Sequence, residues 1–280
     1  EGRMKGAVLT LPFPSVGATE NIMLAAATAQ GETVVYNAAR EPEITDLAEF
    51  LNACGGHIHL SGDAVVIQGV ERLTEGEHTV IPDRVETATL LCAGAVTGGE
   101  LRLTNTRAEH LTAVLPVFEH MGCRLRVATD SIEMWAPQRL KSVSLIKTMP
   151  YPGFPTDAQA PVMAAMATAE GSSMFVENIF ESRYKHVGEL LRMGASINVE
   201  GRVAVVEGMA GLHSASVRCT DLRGGAALVI AALAADGVTE LSEIRHIDRG
   251  YADFAQGLRR LGAIIQRVEE HENKLQNQRS

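Results

Sequence analysis

Two series of glycines recur in step along the chain, and this repetition constrains the fold more than any other feature. One series is Gly31 (TAQGETVVYN), Gly99 (TGGELRLTN), Gly171 (AEGSSMFVEN) and Gly237 (ADGVTELSE); the other is Gly55, Gly122, Gly194 and Gly262. Within each series the spacing is 66 to 72 residues. A period of that length marks one supersecondary unit used several times. Glycine suits a helix end because the closing residue is commonly left-handed, a conformation Gly adopts without steric cost. Each unit runs in one order: a Ser- or Asp-containing turn, an Ala-rich helix, a glycine, a strand, a second helix ending in Gly, then paired strands.

The helices divide into two kinds. DLAEFLNAC, LTAVLPVFEHM, VGELLRM and FAQGLRRL place apolar residues at i, i+3/i+4 and i+7, which predicts one buried stripe and a polar back. VMAAMATA and ALVIAALAA are apolar nearly all round and are expected inside a domain, with sheets packed around them. HIHL, AVVIQG, LRVA, SIEMWA, INV and VAVVEG alternate or are β-branched and predict strands. Helices within and sheets without define the expected fold class, an inside-out α/β barrel built from repeated units of about 70 residues, here about four units. The first unit opens on Glu1-Gly2-Arg3, with no initiator Met and no leading strand legible, so a cut amino terminus is expected.

Composition bounds the partners. A formal net charge of −9 argues against a general nucleic-acid binder. An anionic ligand would need local arginines to overcome that field. No apolar run reaches the roughly 18 residues of a membrane span, and nothing resembles a signal peptide; the chain reads as soluble and cytoplasmic. Cys54, Cys92, Cys123 and Cys219 match no zinc or redox spacing and read as buried thiols in a reducing compartment. None of the nine histidines pairs at ligand spacing, so no metal is expected. Dinucleotide, P-loop and esterase motifs are missing from the sequence as well.

Ser15, Asp83, Asp157 and Asp221 stand just ahead of the Ala-rich helices, 16, 16, 14 and 16 residues before the following glycine. Ser and Asp are preferred N-caps, worth about 1 kcal/mol each. Converging helix N-termini also make an anion site. Arg84 and Arg223 lie beside two of the carboxylates, while Arg183 and Arg249 follow strand ends. An arginine fork grips phosphate or carboxylate at two points. Capping and ligand binding both remain open on these residues alone.

Several segments, in order, carry a resemblance: SVGAT, NAAREPEI, IPDRVET, PGFPTD, ENIFESRYKHVGEL, RMGA, TDLR and HIDRGY. From residue 3 to 267 the chain resembles the UDP-N-acetylglucosamine enolpyruvyl transferases (UDP-N-acetylglucosamine 1-carboxyvinyltransferases), over their carboxyl-terminal two-thirds. NAAREPEI and HIDRGY set it apart from the related 5-enolpyruvylshikimate-3-phosphate synthases. The resemblance implies two globular domains of six units in total, with the active site between them. Residues 1–81 would be the remnant of the nucleotide-sugar-binding domain. Residues 82–268 would be the catalytic domain lacking its amino-terminal strand, and 269–280 a polar tail.

The same resemblance implies transfer of enolpyruvyl from phosphoenolpyruvate to the 3-hydroxyl of UDP-N-acetylglucosamine. That is the first committed step of peptidoglycan synthesis, and so of cell-wall biogenesis, cell shape and cell division. Asp157 matches the family's candidate general base, and Asp221 a second carboxylate near the reacting carbons. Arg183, Arg223 and Arg249 match arginines around phosphoenolpyruvate, with Arg249 counted among the catalytic groups. Ser15, Val16 and Gly17 match the turn at the nucleotide diphosphate, and Ile179 an apolar contact to the nucleotide sugar. No cofactor, metal, nucleic acid or membrane span is implied.

The departures matter too. A Lys-Asn pair and a loop Cys or Asp of the family pattern lie ahead of the matched stretch, and none of the four cysteines here aligns with the loop position. Phe13 stands where some members carry a lysine. The 280 residues alone are therefore expected to be nearly inactive. A non-catalytic truncated paralogue that binds a nucleotide sugar or a partner protein is the alternative, and a purely structural repeat protein a third.

Overall fold

The computed structural model describes residues 2–268; the polar tail, 269–280, lies outside the described residues. The first unit comprises β1 (Val8–Thr10), α1 (Val16–Ala26), β2 (Glu32–Tyr36), α2 (Pro42–Ala53), β3 (His57–Ser61) and β4 (Ala64–Gln68). Its sheet order is β1-β2-β4-β3, with β1 parallel to β2 and the remaining pairs antiparallel. The second unit has α3 (Arg84–Val96), β5 (Glu100–Thr104), a 3-10 turn (Ala108–Leu111), α4 (Leu115–His120), β6 (Arg124–Val127) and β7 (Ser131–Trp135).

The third unit repeats the first: β8 (Leu145–Lys147), α5 (Thr156–Met166), β9 (Ser172–Val176), α6 (Val187–Arg192), β10 (Ser196–Glu200) and β11 (Val203–Glu207). Its sheet order, β8-β9-β11-β10, is that of the first unit. The fourth contains β12 (Leu212–His213), β13 (Ser216–Arg218), α7 (Leu222–Leu233), β14 (Ala235–Asp236), β15 (Glu240–Ser242), α8 (Arg245–Asp248) and α9 (Phe254–Arg260). There the parallel pairs β12–β14 and β13–β15 form, and no strand follows α9 among the described residues.

Burial separates the helices as their composition requires. Helices α3, α5 and α7 pack on one another, and every α5 side chain from Ala158 to Met166 is buried. They centre one large core that includes Leu91, Phe118, Met163, Phe175 and Ile230. A second, smaller core gathers Met23, Val35, Ile44, Leu51 and Ile67 in the first unit. Helix α1 departs from the enclosed-helix expectation: only Thr19, Met23 and Ala26 are buried, and Leu24 is 53% exposed. Unlike α5 and α7 it carries a charged residue, Glu20, in mid-helix, and the contacts that cover it come from its own sheet and α2.

Three local expectations need correction. The first unit does have a leading strand, β1, whose residues are all exposed; it exists through parallel pairing with β2 and carries no burial alternation to reveal it. The unit with no leading strand among the described residues is the second, where 69–83 run without regular structure. The left-handed glycine that follows α3 is Gly98, at φ 62°, not Gly99. Finally, LTAVLPVFEHM does not form one helix. Pro116 lies at the start of α4, where its missing N–H costs nothing, so the chain breaks there into a 3-10 turn and a short helix.

Candidate active site

Three of the four residues ahead of the Ala-rich helices are true caps. The Ser15 hydroxyl accepts from Ala18 N at 3.3 Å. Asp83 accepts from Val85 N and Glu86 N at 2.7 and 3.1 Å, and Asp221 from Gly224 N at 2.8 Å. Asp157 is different. It is the second residue of α5, whose cap position belongs to Pro155, and no side-chain cap bond forms. Its spacing to the following glycine was two residues shorter than the others, and that was the sequence signal.

Freed from capping, the Asp157 carboxylate is held by two arginines. Oδ2 accepts from Arg223 Nη2 at 2.9 Å, and Oδ1 accepts from Arg183 Nη2. Arg223 comes from the first turn of α7, Arg183 from the loop after β9, so three segments of two units meet at one carboxylate. Burial alone would raise the Asp157 pKa, but Arg223 and Arg183 together outweigh it and hold the group below its ordinary value.

Around this pair lie three residues that motif reading did not single out. Glu177, at the end of β9, is 1% exposed. Its Oε1 accepts from Ile179 N and Phe180 N at 2.8 and 3.0 Å, and its Oε2 accepts from the Thr156 hydroxyl at 3.0 Å. One buried carboxylate thus shapes the Ile179 loop and anchors the residue before Asp157. The Tyr251 hydroxyl accepts from Arg223 Nη1 at 3.1 Å. His186 is wholly buried beside Gly224 and Arg183; burial first, then Arg183, lowers its pKa to about 4 against the opposing pull of Asp221. Tyr251 meets its partners 28 and 162 positions away, and Glu177 ties the nearby Ile179 and Phe180 to Thr156, 21 positions back, so residue type alone marked neither.

A cleft of about 690 Å³ joins the two cores. Ser15, Val16 and Gly17 line one wall; Asp157, Ile179 and Arg223 line the other. Arg183 reaches the site through Asp157. Asp221 and Arg249 are not among the lining residues: Asp221 caps α7, and Arg249 is exposed at the end of α8. Asp83 and Arg84, the first residues of the second unit, lie along the cleft, with Arg84 Nε bonded to Glu43 of α2 at 2.9 Å. Among the described residues no group of three or more His, Cys, Asp or Glu is arranged to hold a metal, and no helix is long and apolar enough to cross a membrane. The four cysteines are buried, and burial raises the thiols of Cys92, Cys123 and Cys219.

Repeated units that enclose their helices, with an arginine-held carboxylate facing a polar turn across a cleft, define a class. Residues 1–275 match the family described as EPSP synthase (3-phosphoshikimate 1-carboxyvinyltransferase), and the chain belongs to that family. It is 49% identical over 278 residues to a UDP-N-acetylglucosamine 1-carboxyvinyltransferase 1 of Halalkalibacterium halodurans, covering 99% of this chain and 63% of that protein. It is 51% identical over 267 residues to one of Symbiobacterium thermophilum, covering 95% of this chain and 60% of that protein. Among solved structures, the enolpyruvyl transferase NikO from Streptomyces tendae superposes with a TM-score of 0.82 at 28% identity, over 92% of this chain and 65% of that one. The inside-out α/β architecture is thus that of the enolpyruvyl transferases. The chain spans less than two thirds of the length of these relatives.

Proposed function

We propose that the cleft serves transfer of an enolpyruvyl group from phosphoenolpyruvate to the 3-hydroxyl of UDP-N-acetylglucosamine, as the names of the curated relatives suggest. The observation that carries this reading is the facing arrangement of Ser15–Gly17 and the Asp157–Arg183–Arg223 cluster in one cleft. The turn ahead of α1 offers backbone N–H groups and the positive end of a helix to a diphosphate. Ile179 supplies an apolar contact to the nucleotide sugar. On this reading residues 1–81 form the nucleotide-sugar side and 82–268 the catalytic side.

The chemistry follows from the residues. The sugar oxygen bonds to C2 of phosphoenolpyruvate while its proton goes to a base and another proton reaches the methylene carbon. Phosphate then leaves C2 and a proton leaves the new methyl, restoring the double bond. Asp157 is the base of the first step. Held by two arginines it is a weak one, yet those arginines are what an incoming phosphate attracts. As Arg223 and Arg183 turn to the phosphate, Asp157 becomes more basic and the leaving phosphate gains its stabilising charge. Asp221 and Arg249 join the reacting groups only if the cleft closes on substrate.

The 280 residues alone are expected to release phosphate slowly or not at all. Calorimetry with UDP-N-acetylglucosamine, alone and with phosphoenolpyruvate, tests the reading. Binding that tightens when both are present supports it, and no heat with either ligand overturns it. A phosphate-release assay near the rates of full-length relatives would refute the expected inactivity.

A further inference from the structure

The hydroxyl of Tyr251 joins three segments, its own turn, α7 and α3, and its hydrogen bonds can be assigned a direction without ambiguity. Arginine has no acceptor, so the 3.1 Å contact runs from Arg223 Nη1 to the Tyr251 oxygen. Thr89 Oγ1 lies 2.9 Å from the Val85 carbonyl, which can only accept, so the single threonine proton points there. The remaining bond, 2.9 Å between Tyr251 and Thr89, must therefore carry the tyrosine proton to Thr89. A one-way relay results: Arg223 to Tyr251, Tyr251 to Thr89, Thr89 to the backbone of α3. Tyr251 is 2% exposed and Thr89 fully buried, so water does not compete for these bonds.

At its other end Arg223 binds Asp157 through Nη2, the neighbouring nitrogen of the same planar fork. Fixing Nη1 therefore fixes the direction in which Nη2 presents. A second observation ties the same turn to Arg223. A Cβ at Gly250 would stand 2.7 Å from Leu222 Cδ2, so the segment carrying Arg249 and Tyr251 lies flat on the first turn of α7.

We propose that Tyr251 is a positioning residue, which uses the buried side of α3 as an anchor to set the arginine fork that holds Asp157 and receives the phosphate of the substrate. This rests on the reading of Asp157 and Arg223 as substrate-handling groups, but its structural half can be measured without turnover.

The test uses the whole chain with Tyr251→Phe, which keeps the ring and removes only the hydroxyl. Carboxylate NMR, with the Asp157 signal assigned by its loss in Asp157→Asn, should show the Asp157 titration moving up towards the ordinary carboxylate range. The guanidinium signals of Arg223, distinct when the fork is fixed, should average. Phosphoenolpyruvate affinity should weaken about tenfold, the effect of losing one hydrogen bond to a charged group. Should Tyr251→Phe fail to fold, Thr89→Val and Thr89→Ser decide: Val should reproduce these changes, and Ser should retain the parent behaviour. An unchanged Asp157 titration with unaveraged Arg223 signals overturns the proposal, even if thermal stability falls. If the parent chain binds no phosphoenolpyruvate, the functional reading fails, while the NMR comparison still decides whether Tyr251 sets the fork.

Discussion

At the scale of single residues, the candidate site is a contest between burial and pairing, and pairing wins. Asp157 is held by two arginines that are themselves mostly enclosed. Removing the negative charge with Asp157→Asn should leave two guanidinium groups short of a counter-charge. A loss of about 1–3 kcal/mol in chemical denaturation is expected, less than for a fully buried pair because the cleft admits water. His186 makes a separate prediction. Its pKa falls to about 4 in the fold, so the unfolded chain binds the proton first as pH drops. Stability from the neutral ring is complete above the unfolded value near 6.5. It declines as pH falls towards about 4, with a slope of at most about 1.4 kcal/mol per pH unit. His186→Asn should flatten that part of a stability-against-pH curve; an unchanged curve would show that other groups cause it. The Asp157 pair adds its own loss only further down, as pH falls through its lowered pKa. The roles of caps were legible in Ser15, Asp83 and Asp221 because capping is local chemistry. Asp157 stood apart by a spacing two residues shorter than the others, and its role as a candidate base came only from the family resemblance of PGFPTD.

At the scale of elements, the repeat shows which positions are structural. Gly208 follows β11, and a Cβ there would meet the Ala169 oxygen at 1.6 Å; Gly69 follows β4 and faces the Ala29 oxygen at 1.9 Å. In the second unit the same place is held by Ala136, which bonds to Gly99 as Gly208 bonds to Gly171. Gly208→Ala should therefore cost about 3 kcal/mol or more through overpacking against fixed backbone, while Ala136→Gly should cost well under half as much; thermal melts compare them. The loop after β9 depends on Glu177 in the same way that a helix end depends on its cap. Glu177→Ala removes the acceptor of three hydrogen bonds and should cost about 2–4 kcal/mol. Amide exchange at Ile179 and Phe180 should accelerate more than elsewhere, and uniform acceleration would count against a local role. Helix periodicity and strand alternation made most elements legible. β1 was not, since a three-residue exposed strand has no pattern of its own, and Pro116 divided a helix that periodicity alone joined.

At the scale of the whole molecule, two cores are joined by few side-chain contacts along the cleft. Arg84 of α3 reaches Glu43 of α2, Asp46 holds His78 at 2.8 Å in the connecting segment, and Tyr151 N reaches Glu41 at 3.4 Å. Arg84→Ala should leave both cores folded but raise exchange in residues 69–83, with little change in melting temperature; a large drop in melting temperature would mean that the contact stabilises a core instead. Leu24 of α1 and Val8 of β1 are both open to solvent. The isolated chain should bind a hydrophobic dye, and Leu24→Glu should reduce that binding without unfolding the large core.

What the sequence determined by itself were the features whose causes are local. The repeat period, the two kinds of helix, the strands, three of the caps and the motifs that place the chain in its family all rest on neighbours within a turn or a strand. Tertiary structure decided the rest. It left α1 half uncovered, with Leu24 open to solvent. It separated Asp157 from the caps by bringing Arg183 and Arg223 to it from 26 and 66 positions away. It also gave Glu177, His186 and Tyr251 their roles. A buried polar group takes its function from the partners that replace water, and those partners are chosen by packing rather than by sequence distance.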